Sequence, residues 1–422
     1  MDFIDFFHRN GYDNSMRKNQ HNGTEYDVII IGAGAAGLFC SGTFPEKVRG
    51  LILEKTNAPG TKLLMSGSGQ CNITHGGSIK DFIPCYGKNG SKIRTSLYQH
   101  SNRSLIKLLN DHGVETIIRE DGKVFPASLD AHEVLNLLLR LTKDNGFTIA
   151  YGQDVTEIHE KEDHSWEVLT SGCRYHCKSL ILATGGCSYP TTGSDGSMFS
   201  VLKRDLRLPI APLRPALSPV NIMDYPYADL SGISFSGVNI SVYREQKKVT
   251  ETQGDLLFTH QNLSGPAVIN ISKDISPKDK LIINYLYPQT YQQVLEQLKT
   301  VFAGSNESLP NLLSRHFGLP KRFTSLLVQR YGNSLKALAA ALSGEEFIIK
   351  SVKGFTTAMA TCGGIALDAL TLSTMELMYH PNLFAIGEMV DIDGITGGYN
   401  LQFAYSSARA AGEHICKKPQ KL

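Results

Sequence analysis

The chain has 422 residues, of which 41% are hydrophobic and 19% are charged, and its formal net charge is +2 at pH 7. That length predicts two or three folded units, each able to bury an apolar core. The near balance of charges gives no electrostatic case for binding nucleic acid or an anionic membrane, and no apolar run reaches the ~20 residues that span a bilayer.

The cysteines and the first residues indicate a cytoplasmic protein. Eight cysteines are scattered without a CxxC pair, and only Cys173 and Cys177 lie close together. No second Cys or His pair completes a zinc set, so we predict no metal. Residues 1–24 are polar and lack the apolar stretch of a signal peptide, which predicts a poorly ordered leader.

The first predicted elements form a βαβ unit. Residues 28–31 are a β-branched run, typical of a strand buried on both faces of a parallel sheet. The small side chains of residues 35–43 predict a helix packed tightly on that strand, and residues 51–53 predict the next strand.

The following segments continue the alternation of helices and strands. Residues 104–110 and 131–143 carry apolar positions at helical spacing. Residues 147–158 and 166–170 alternate like strands, and residues 179–183 predict another buried strand. The pattern up to this point is that of an α/β domain.

The texture changes from about residue 188. Repeated prolines and short alternating runs, such as residues 238–242, favour a small antiparallel barrel or sandwich. Residues 291–342 predict helices, and residues 347–352 predict a strand returning to the barrel. Residues 383–388 then lead to a glycine-rich turn and a terminal helix.

A glycine motif follows the first strand and opens the helix after it. Gly32 permits a tight turn, Gly34 lets the backbone approach a pyrophosphate, and Gly37 lets helix and strand pack closely. Glu54 lies twenty residues after Gly34, at the end of the next strand, where a carboxylate accepts ribose hydroxyls. Its charge repels a 2′-phosphate, so the motif predicts FAD or NAD rather than NADP. The alternative for Glu54 is a solvated residue at a strand end.

Later glycine segments favour FAD over NAD. Residues 62–74 are dense in small and polar side chains, for which a simple NAD domain has no use. Residues 183–186 repeat the passage from strand to glycine turn, and residues 387–400 repeat it again at a helix start. Any single one is compatible with ordinary turn chemistry. Together they favour an extended flavin dinucleotide.

Five motifs resemble those of the BaiN/HI0933-like flavoproteins, also called the aminoacetone-oxidase family. In chain order they are MSGSGQCN at 65–72, ATGGCSYP at 183–190, PLRPAL at 212–217, FTH with LSGP at 258–266, and GITGGYNLQ at 394–402. The resemblance covers residues from about 26 to 416 in the family's order. Ser68 and Gln70 stand where the family usually shows Gly and Arg, which removes the family's basic side chain at position 70.

The resemblance implies an α/β fold in three parts. These are a Rossmann-like FAD-binding domain of the glutathione-reductase type, a β-barrel that splits it, and a helical insert in that barrel. We assign residues 25–190 and 355–422 to the FAD-binding domain, 191–290 and 343–354 to the barrel, 291–342 to the insert, and 1–24 to the leader.

We expect FAD to be held non-covalently by the glycine segments and their neighbours. The predicted cofactor-binding residues are Gly32, Gly34, Ala35, Ala36, Gly37, Glu54, Lys55, Lys62, Ser66, Gly67, Cys71, Asn72, Val155, Ala183, Thr184, Gly185, Gly186, Gly387, Glu388, Gly397, Gly398, Tyr399, Asn400 and Leu401. For Cys71 the alternative is a small buried thiol without a role in binding.

Three side chains are predicted to be catalytic, and one to bind substrate. Tyr399 opens the last helix, whose dipole would stabilise negative charge on the reduced flavin. His260 and Tyr189 are placed to donate or accept a proton, with packing or hydrogen bonding as the alternative role. Arg214, between two prolines, is predicted to bind an anionic group of the substrate, with a surface ion pair as the alternative.

The resemblance implies a flavin enzyme but leaves the direction of electron flow open, because family members are described as C=C reductases of steroid-like substrates and as amine oxidases. A second dinucleotide motif and a CxxxxC redox pair are absent from the sequence, which argues against a disulfide reductase. We predict an NAD(P)H-linked reductase of a C=C or similar bond in a small organic molecule, with no nucleic-acid or membrane partner. The alternatives are an amine oxidase that releases peroxide and an FAD-binding protein without catalysis.

Overall fold

The computed structural model describes residues 24–45, 48–303 and 306–418. These form two compact units, one that runs to Leu213 and resumes at Cys362, and another that comprises Arg214–Thr361. The predicted leader, apart from Thr24, lies outside the described residues. Within the described ranges, no helix is both long and apolar enough to cross a membrane.

The first unit begins with nine strands and six α-helices. The strands are β1 (Glu25–Ile31), β2 (Gly50–Leu53), β3 (Thr74–His75), β4 (Thr116–Ile118), β5 (Lys123–Pro126), β6 (Phe147–Ala150), β7 (Val155–Glu160), β8 (Trp166–Thr170) and β9 (Arg174–Leu182). The helices are α1 (Ala35–Ser41), α2 (Thr61–Met65), α3 (Arg94–Gln99), α4 (Asn102–Asp111), α5 (Ala131–Asp144) and α6 (Ser197–Asp205). Short 3-10 helices span Ser66–Gly69, Ile79–Asn89 and Pro190–Thr192.

The chain enters the second unit and leaves it through a two-stranded sheet, β10 with β17. The strands of this part are β10 (Ile210–Ala216), β11 (Val220–Ile222), β12 (Ser234–Arg244), β13 (Lys247–Phe258), β14 (Leu263–Ser264), β15 (Lys280–Asn284), β16 (Glu345–Val352) and β17 (Ala360–Ile365). The helices are α7 (Pro266–Ile269), α8 (Tyr291–Ala303), α9 (Leu309–Phe317), α10 (Lys321–Tyr331) and α11 (Leu335–Gly344), with 3-10 helices at Ala228–Leu230 and Ser272–Asp274.

The first unit is completed by a short return segment. It holds β18 (Leu370–Thr371), β19 (Glu376–Leu377), β20 (Leu383–Ala385), 3-10 helices at Leu367–Ala369 and Gly387–Met389, and the last helix α12 (Tyr399–Lys417). α12 packs against α1, and its start contacts β3.

A twisted parallel sheet organises the first unit. Its parallel strands stand in the order β20-β9-β1-β2-β6, and β1 pairs in register with both neighbours, so that Ile30 lies between Ile52 and Ile181. These β-branched side chains are fully buried, as strands covered on both faces require. The carboxyl ends of neighbouring parallel strands meet at one edge, which is where dinucleotides bind in such sheets.

Six strands of the second unit close into a barrel in the order β11-β14-β13-β12-β15-β16. Alternate residues of β12, among them Val238, Ile240 and Val242, point into a core that also takes apolar side chains from the helices after β15. The predicted α/β fold class, with a Rossmann-type domain and a closed barrel, is therefore confirmed.

A buried carboxylate joins the helices of the second unit to its barrel. Glu345 opens β16 and is 2% exposed. Its oxygens accept hydrogen bonds from the hydroxyls of Tyr227 at 2.6 Å and Tyr285 at 2.8 Å. From α10, Arg330 Nη1 donates at 2.7 Å and the Tyr331 hydroxyl at 2.8 Å. A buried charge with this many partners fixes the register of helix and barrel.

The limits of the compact units differ from the domain boundaries drawn at residues 190 and 355. Residues 191–213 pack with the first unit, because α6 lies against β7 and the Asp205 carboxylate accepts the Ile158 N–H at 3.0 Å. Residues 355–361 pack with the second unit. The prolines that suggested a change of domain near residue 190 mark turns within the first unit.

Candidate flavin site

The three glycines of the turn after β1 have two different roles. Gly32 has a φ of 105°, and a Cβ there would lie 2.6 Å from the Ala183 carbonyl oxygen. A Cβ on Gly37 would lie 2.1 Å from the Gly32 oxygen. A Cβ on Gly34, in contrast, would meet nothing within 4 Å. The fold itself requires Gly32 and Gly37, whereas Gly34 keeps a space open in front of the helix.

That open space faces the start of α1, where Gly34 is the N-cap and no side chain caps the helix. Backbone N–H groups at such a helix start attract an anion. The space at Gly34 and the uncapped helix start therefore fit the pyrophosphate of a flavin dinucleotide.

Glu54 lies beside this turn and is 8% exposed. One carboxylate oxygen accepts the Ala33 N–H at 2.8 Å, and the other accepts the Thr56 N–H at 2.8 Å and its hydroxyl at 2.7 Å. These bonds fix the carboxylate at the end of β2 rather than in solvent, so Glu54 is not a free strand-end residue. The oxygen that accepts the Ala33 N–H retains a lone pair for a ribose hydroxyl, whereas both lone pairs of the other oxygen are taken by Thr56.

The next residue, Lys55, belongs to a separate polar group. Its ammonium donates to the Asp195 carboxylate at 2.8 Å and to the Ser197 hydroxyl at 3.2 Å, and it lies 3.4 Å from Asp154. These carboxylates hold the pKa of Lys55 above its usual value, although its partial burial acts in the opposite direction. Predicted as a cofactor-binding residue, Lys55 is occupied by these carboxylates.

Three glycine segments meet in one polar network. Lys62 of α2 donates to the Glu388 carboxylate at 2.5 Å and also to the Ser188 hydroxyl, which itself donates to Glu388 at 2.7 Å. Thr184, after β9, contacts the Met389 sulfur at 2.7 Å. The helix α2 and the segments that follow β9 and β20 are thus brought together, as the repeated glycine turns predicted. The side chains of Lys62, Ser188 and Glu388 fit the hydroxyl-rich ribityl part of FAD.

The loop of residues 66–72 is built from left-handed conformations. Gly67, Ser68, Gly69 and Cys71 all have positive φ, and the Cys71 N–H donates to the Ser66 oxygen at 2.9 Å. Cys71 is fully buried, and burial raises the pKa of its thiol to about 11. A neutral, enclosed thiol is a packing residue, which favours the alternative role stated for Cys71.

This loop is joined to the start of α12. With its amide oxygen turned toward Gly398, Asn72 accepts the Gly398 N–H at 3.1 Å and donates to the Thr74 oxygen at 3.0 Å. A Cβ on Gly398 would lie 2.6 Å from the Thr74 backbone, so only glycine permits the approach. Asn400 and the Gly394 backbone exchange hydrogen bonds at 2.8 and 3.0 Å, which closes the turn before α12.

Tyr399 stands at the start of α12 in a cluster of rings. Its ring stacks on His75 with the centroids 5.5 Å apart, and Phe82 packs edge-on at 5.1 Å. The Tyr86 hydroxyl donates to the Tyr399 carbonyl oxygen at 2.8 Å. Burial and the neighbouring Cys85 thiol raise the pKa of Tyr399 well above its usual value. The hydroxyl therefore keeps its proton at neutral pH.

The remaining predicted residues lie at different places. Val155 is buried in β7 opposite Thr170, and Tyr189 has a φ of 54° before Pro190. His260 is exposed in the turn after β13, and Arg214 is exposed on β10, both in the second unit. Proton transfer by His260 and Tyr189 and anion binding by Arg214 stay predictions.

Several side chains of the site were missed. They are Thr56, which fixes Glu54, Ser188, which completes the Lys62 network, and His75, Cys85 and Tyr86 around Tyr399. Ser188 belongs to the ATGGCSYP motif, so its motif offered a signal. Residues 79–89 carry no motif, and only packing against α12 identifies them.

The description "HI0933-like protein Rossmann domain" belongs to a family model that matches residues 26–414. The chain is 31% identical over 403 residues to an Escherichia coli ribosomal RNA dihydrouridine synthase, covering 92% of this chain and 98% of the relative. It is 26% identical over 413 residues to a Clostridium scindens 3-dehydro-bile acid delta(4,6)-reductase, covering 93% and 99%. Among solved structures, the open conformation of a flavocytochrome c3 fumarate reductase is similar in fold, with a TM-score of 0.52 at 16% identity, covering 94% of this chain and 79% of that one.

Proposed function

The chain belongs to the HI0933-like family of FAD-dependent oxidoreductases, and we propose that it reduces a carbon–carbon double bond conjugated to a carbonyl. The proposed substrate is a uridine in ribosomal RNA, and the proposed electron donor is NAD(P)H. The match over 98% of an RNA dihydrouridine synthase carries this proposal. Dihydrouridine arises when the ring double bond of uridine is saturated.

The second relative supports the same chemistry on another substrate. It is named for reducing double bonds of a bile acid that bears a ketone. Uracil and such a ketone both present a C=C beside a carbonyl, so one reaction class covers both. The sequence alone predicted a small organic substrate and no nucleic-acid partner. The proposed substrate is instead a base of an RNA.

The residues around the glycine turn would hold the cofactor. The amides at the start of α1 bind the pyrophosphate, Glu54 the ribose, and the network of Lys62, Ser188 and Glu388 the ribityl hydroxyls. FAD, when bound, supplies the two-electron transfer that links NAD(P)H oxidation to reduction of the substrate.

Tyr399 would supply the proton that this reduction needs. Saturating a C=C adds a hydrogen with two electrons at one carbon and a proton at the other. The Tyr399 hydroxyl is protonated at neutral pH, because the ordinary pKa of tyrosine is already far above neutral and burial raises it further, so it has a proton to donate to the substrate carbon. The ring stack with His75 and the bond from Tyr86 hold Tyr399 in place.

The test is an anaerobic half-reaction experiment on the flavin-loaded protein. NADH or NADPH should bleach the flavin, and ribosomal RNA from an Escherichia coli strain lacking its dihydrouridine synthase should restore the colour. Mass spectrometry of the digested RNA should then detect a uridine that has gained two hydrogens. RNA from the parent strain, which retains its synthase, is the matched control and should restore the colour more slowly.

Other outcomes identify other functions. If 4-androstene-3,17-dione reoxidises the flavin and the unmodified RNA does not, the protein is an enone reductase of the bile-acid type. If aminoacetone bleaches the oxidised flavin without NAD(P)H and air then yields peroxide, it is an amine oxidase and the reductase proposal is wrong.

A further inference from the structure

We propose that residues 79–107 form the surface that binds the RNA backbone around the reacting uridine; this rests on the proposed function. The segment holds six lysines and arginines and one aspartate, a net charge of +5, whereas the whole chain carries +2. The near-neutral total therefore conceals a local concentration of positive charge. We call residues 79–107 the basic segment.

The positive charges of the basic segment are exposed and mostly unpaired. Its basic residues are Lys80, Lys88, Lys92, Arg94, Arg103 and Lys107, and all are exposed. Lys107 pairs with Asp111 four residues on. Within the described ranges, the other five have no carboxylate at salt-bridge distance. Charges left without a protein counterion are available for phosphates.

The basic segment is bonded directly to the cluster around Tyr399. Its 3-10 helix, Ile79–Asn89, contributes Phe82 and Tyr86 to that cluster. At the start of α4, the Asn102 amide donates to the backbone oxygen of His75 at 2.9 Å, and the His75 ring stacks on Tyr399. An RNA backbone lying on this segment therefore places its bases beside the proposed proton donor.

An aromatic ring lies among these charges. Tyr98 is 45% exposed, and the Arg94 guanidinium lies 5.3 Å from the centre of its ring. Aromatic rings flanked by cations are the usual stacking platforms for unpaired bases. An enzyme that acts on an RNA base must take that base out of its stack, and neighbouring bases then need such a platform.

The geometry favours RNA over an anionic membrane. Binding in a lipid interface requires an exposed apolar helix face beneath the charges. On α4 the apolar side chains Leu105 and Leu109 are fully buried in the protein, so they are not available for insertion. The segment thus presents charge and one aromatic ring, which suits phosphates and bases.

The test compares two variants that lose the same charge. One is the quadruple Lys80→Gln, Lys88→Gln, Lys92→Gln and Arg94→Gln, within the basic segment. The control is the quadruple Lys143→Gln, Lys203→Gln, Lys336→Gln and Lys350→Gln. These four residues are also exposed, and none of them lies at salt-bridge distance from a carboxylate in the part of the chain that the structure describes. Binding of unmodified ribosomal RNA is measured by filter retention at several salt concentrations.

We expect the first quadruple to weaken binding at least tenfold and to flatten the slope of log affinity against log salt by about three. The control should stay within twofold of the parent. Both variants should keep their flavin and its bleaching by NAD(P)H, since none of these residues belongs to the flavin site.

If both variants lose RNA affinity equally, or neither loses any, residues 79–107 are not the RNA-binding surface. The proposed function is unaffected by that result. If the parent binds phosphatidylglycerol vesicles through these residues and does not bind RNA, the surface serves a membrane and the proposal fails. If the parent neither binds nor modifies RNA, the RNA form of the proposed function fails with it, which the flavin reoxidation experiment detects separately.

Discussion

At the scale of single residues, the glycine turn separates what the fold needs from what the cofactor needs. Gly32 and Gly37 are glycines because a Cβ would collide with backbone oxygens of the protein itself. Gly34 has a φ of −78°, which any residue adopts, and empty space beside it. Its lack of a side chain matters only when a pyrophosphate lies there.

Replacing Gly34 with Ala should therefore weaken FAD binding without harming the fold. We expect the apoprotein to keep its denaturation midpoint, because the new methyl meets no protein atom, while FAD affinity falls at least tenfold. Flavin titration followed by fluorescence measures the affinity. Gly37→Ala is the control and should destabilise the apoprotein itself. A Gly34→Ala variant with unchanged affinity would mean that the dinucleotide binds elsewhere.

Tyr399 allows an equally local test of the proton step. Tyr399→Phe keeps the ring stack with His75 but removes the hydroxyl. We expect flavin reduction by NAD(P)H to be unchanged and reoxidation by substrate to slow by about 10²–10⁴-fold, the usual contribution of a general acid. Stopped-flow absorbance separates the two half-reactions. Tyr405→Phe, on the same helix, is the control and should leave both rates unaltered; equal slowing of both half-reactions in Tyr399→Phe would contradict the role.

At the scale of elements, the end of α12 is tied to the antiparallel arm of the sheet. The carboxylate of Glu376, on β19, accepts a hydrogen bond from the Lys418 ammonium at 2.6 Å and another from the Asn382 N–H at 2.9 Å. Burial alone would raise the pKa of Glu376, but these partners together hold it below its usual value. The carboxylate therefore contributes stability above the pKa of the unfolded chain, ~4.3, and loses it as pH falls through the lowered folded value.

Glu376→Gln should consequently flatten the decline of stability on acidification. We expect a loss of about 1 kcal/mol at pH 7 and a smaller difference from the parent as the pH falls through the lowered pKa of the folded protein, where the parent's carboxylate becomes protonated. Urea denaturation at a series of pH values measures both. Glu296→Gln is the control, since Glu296 on α8 is 69% exposed and pairs with Lys299 three residues further on. A loss that does not change with pH would show that packing, not charge, is responsible.

At the scale of the whole molecule, two units with separate cores divide the work. The first unit contains every residue of the proposed flavin site, and the second unit has its own apolar core with Glu345 bonded inside it. A ligand stabilises only the unit that binds it. The two units should therefore respond differently to FAD and to a core substitution.

We expect FAD at a hundred times its Kd to stabilise the first unit by about 2.7 kcal/mol and so raise the temperature of one calorimetric transition. Glu345→Gln should lower the temperature of the other transition, because Arg330 loses its buried partner, at a cost of about 3–5 kcal/mol. The double variant Glu345→Gln with Arg330→Met should recover part of this loss. A single transition that FAD and Glu345→Gln both move would contradict separate unfolding of the units.

The net charge shows how an average over the molecule conceals its parts. A total of +2 gave no reason to expect nucleic acid, yet 29 residues beside the Tyr399 cluster carry +5. Charge acts over about 8 Å in physiological salt, so the local concentration of charge governs binding and the total does not.

The sequence by itself determined the parallel strands of the first unit with the helices α1, α4, α5 and α12, the barrel-like texture of the second unit, and the glycine turn with Glu54. These depend on neighbours along the chain, because hydrophobic period, turn glycines and helix starts are local properties. Only the tertiary structure decided that Lys62 meets Glu388, 326 residues away, that Cys85 and Tyr86 enclose Tyr399, and that residues 191–213 pack with the first unit. Such contacts arise where the carboxyl ends of neighbouring parallel strands and the start of a distant helix converge, and no short stretch of chain encodes that meeting.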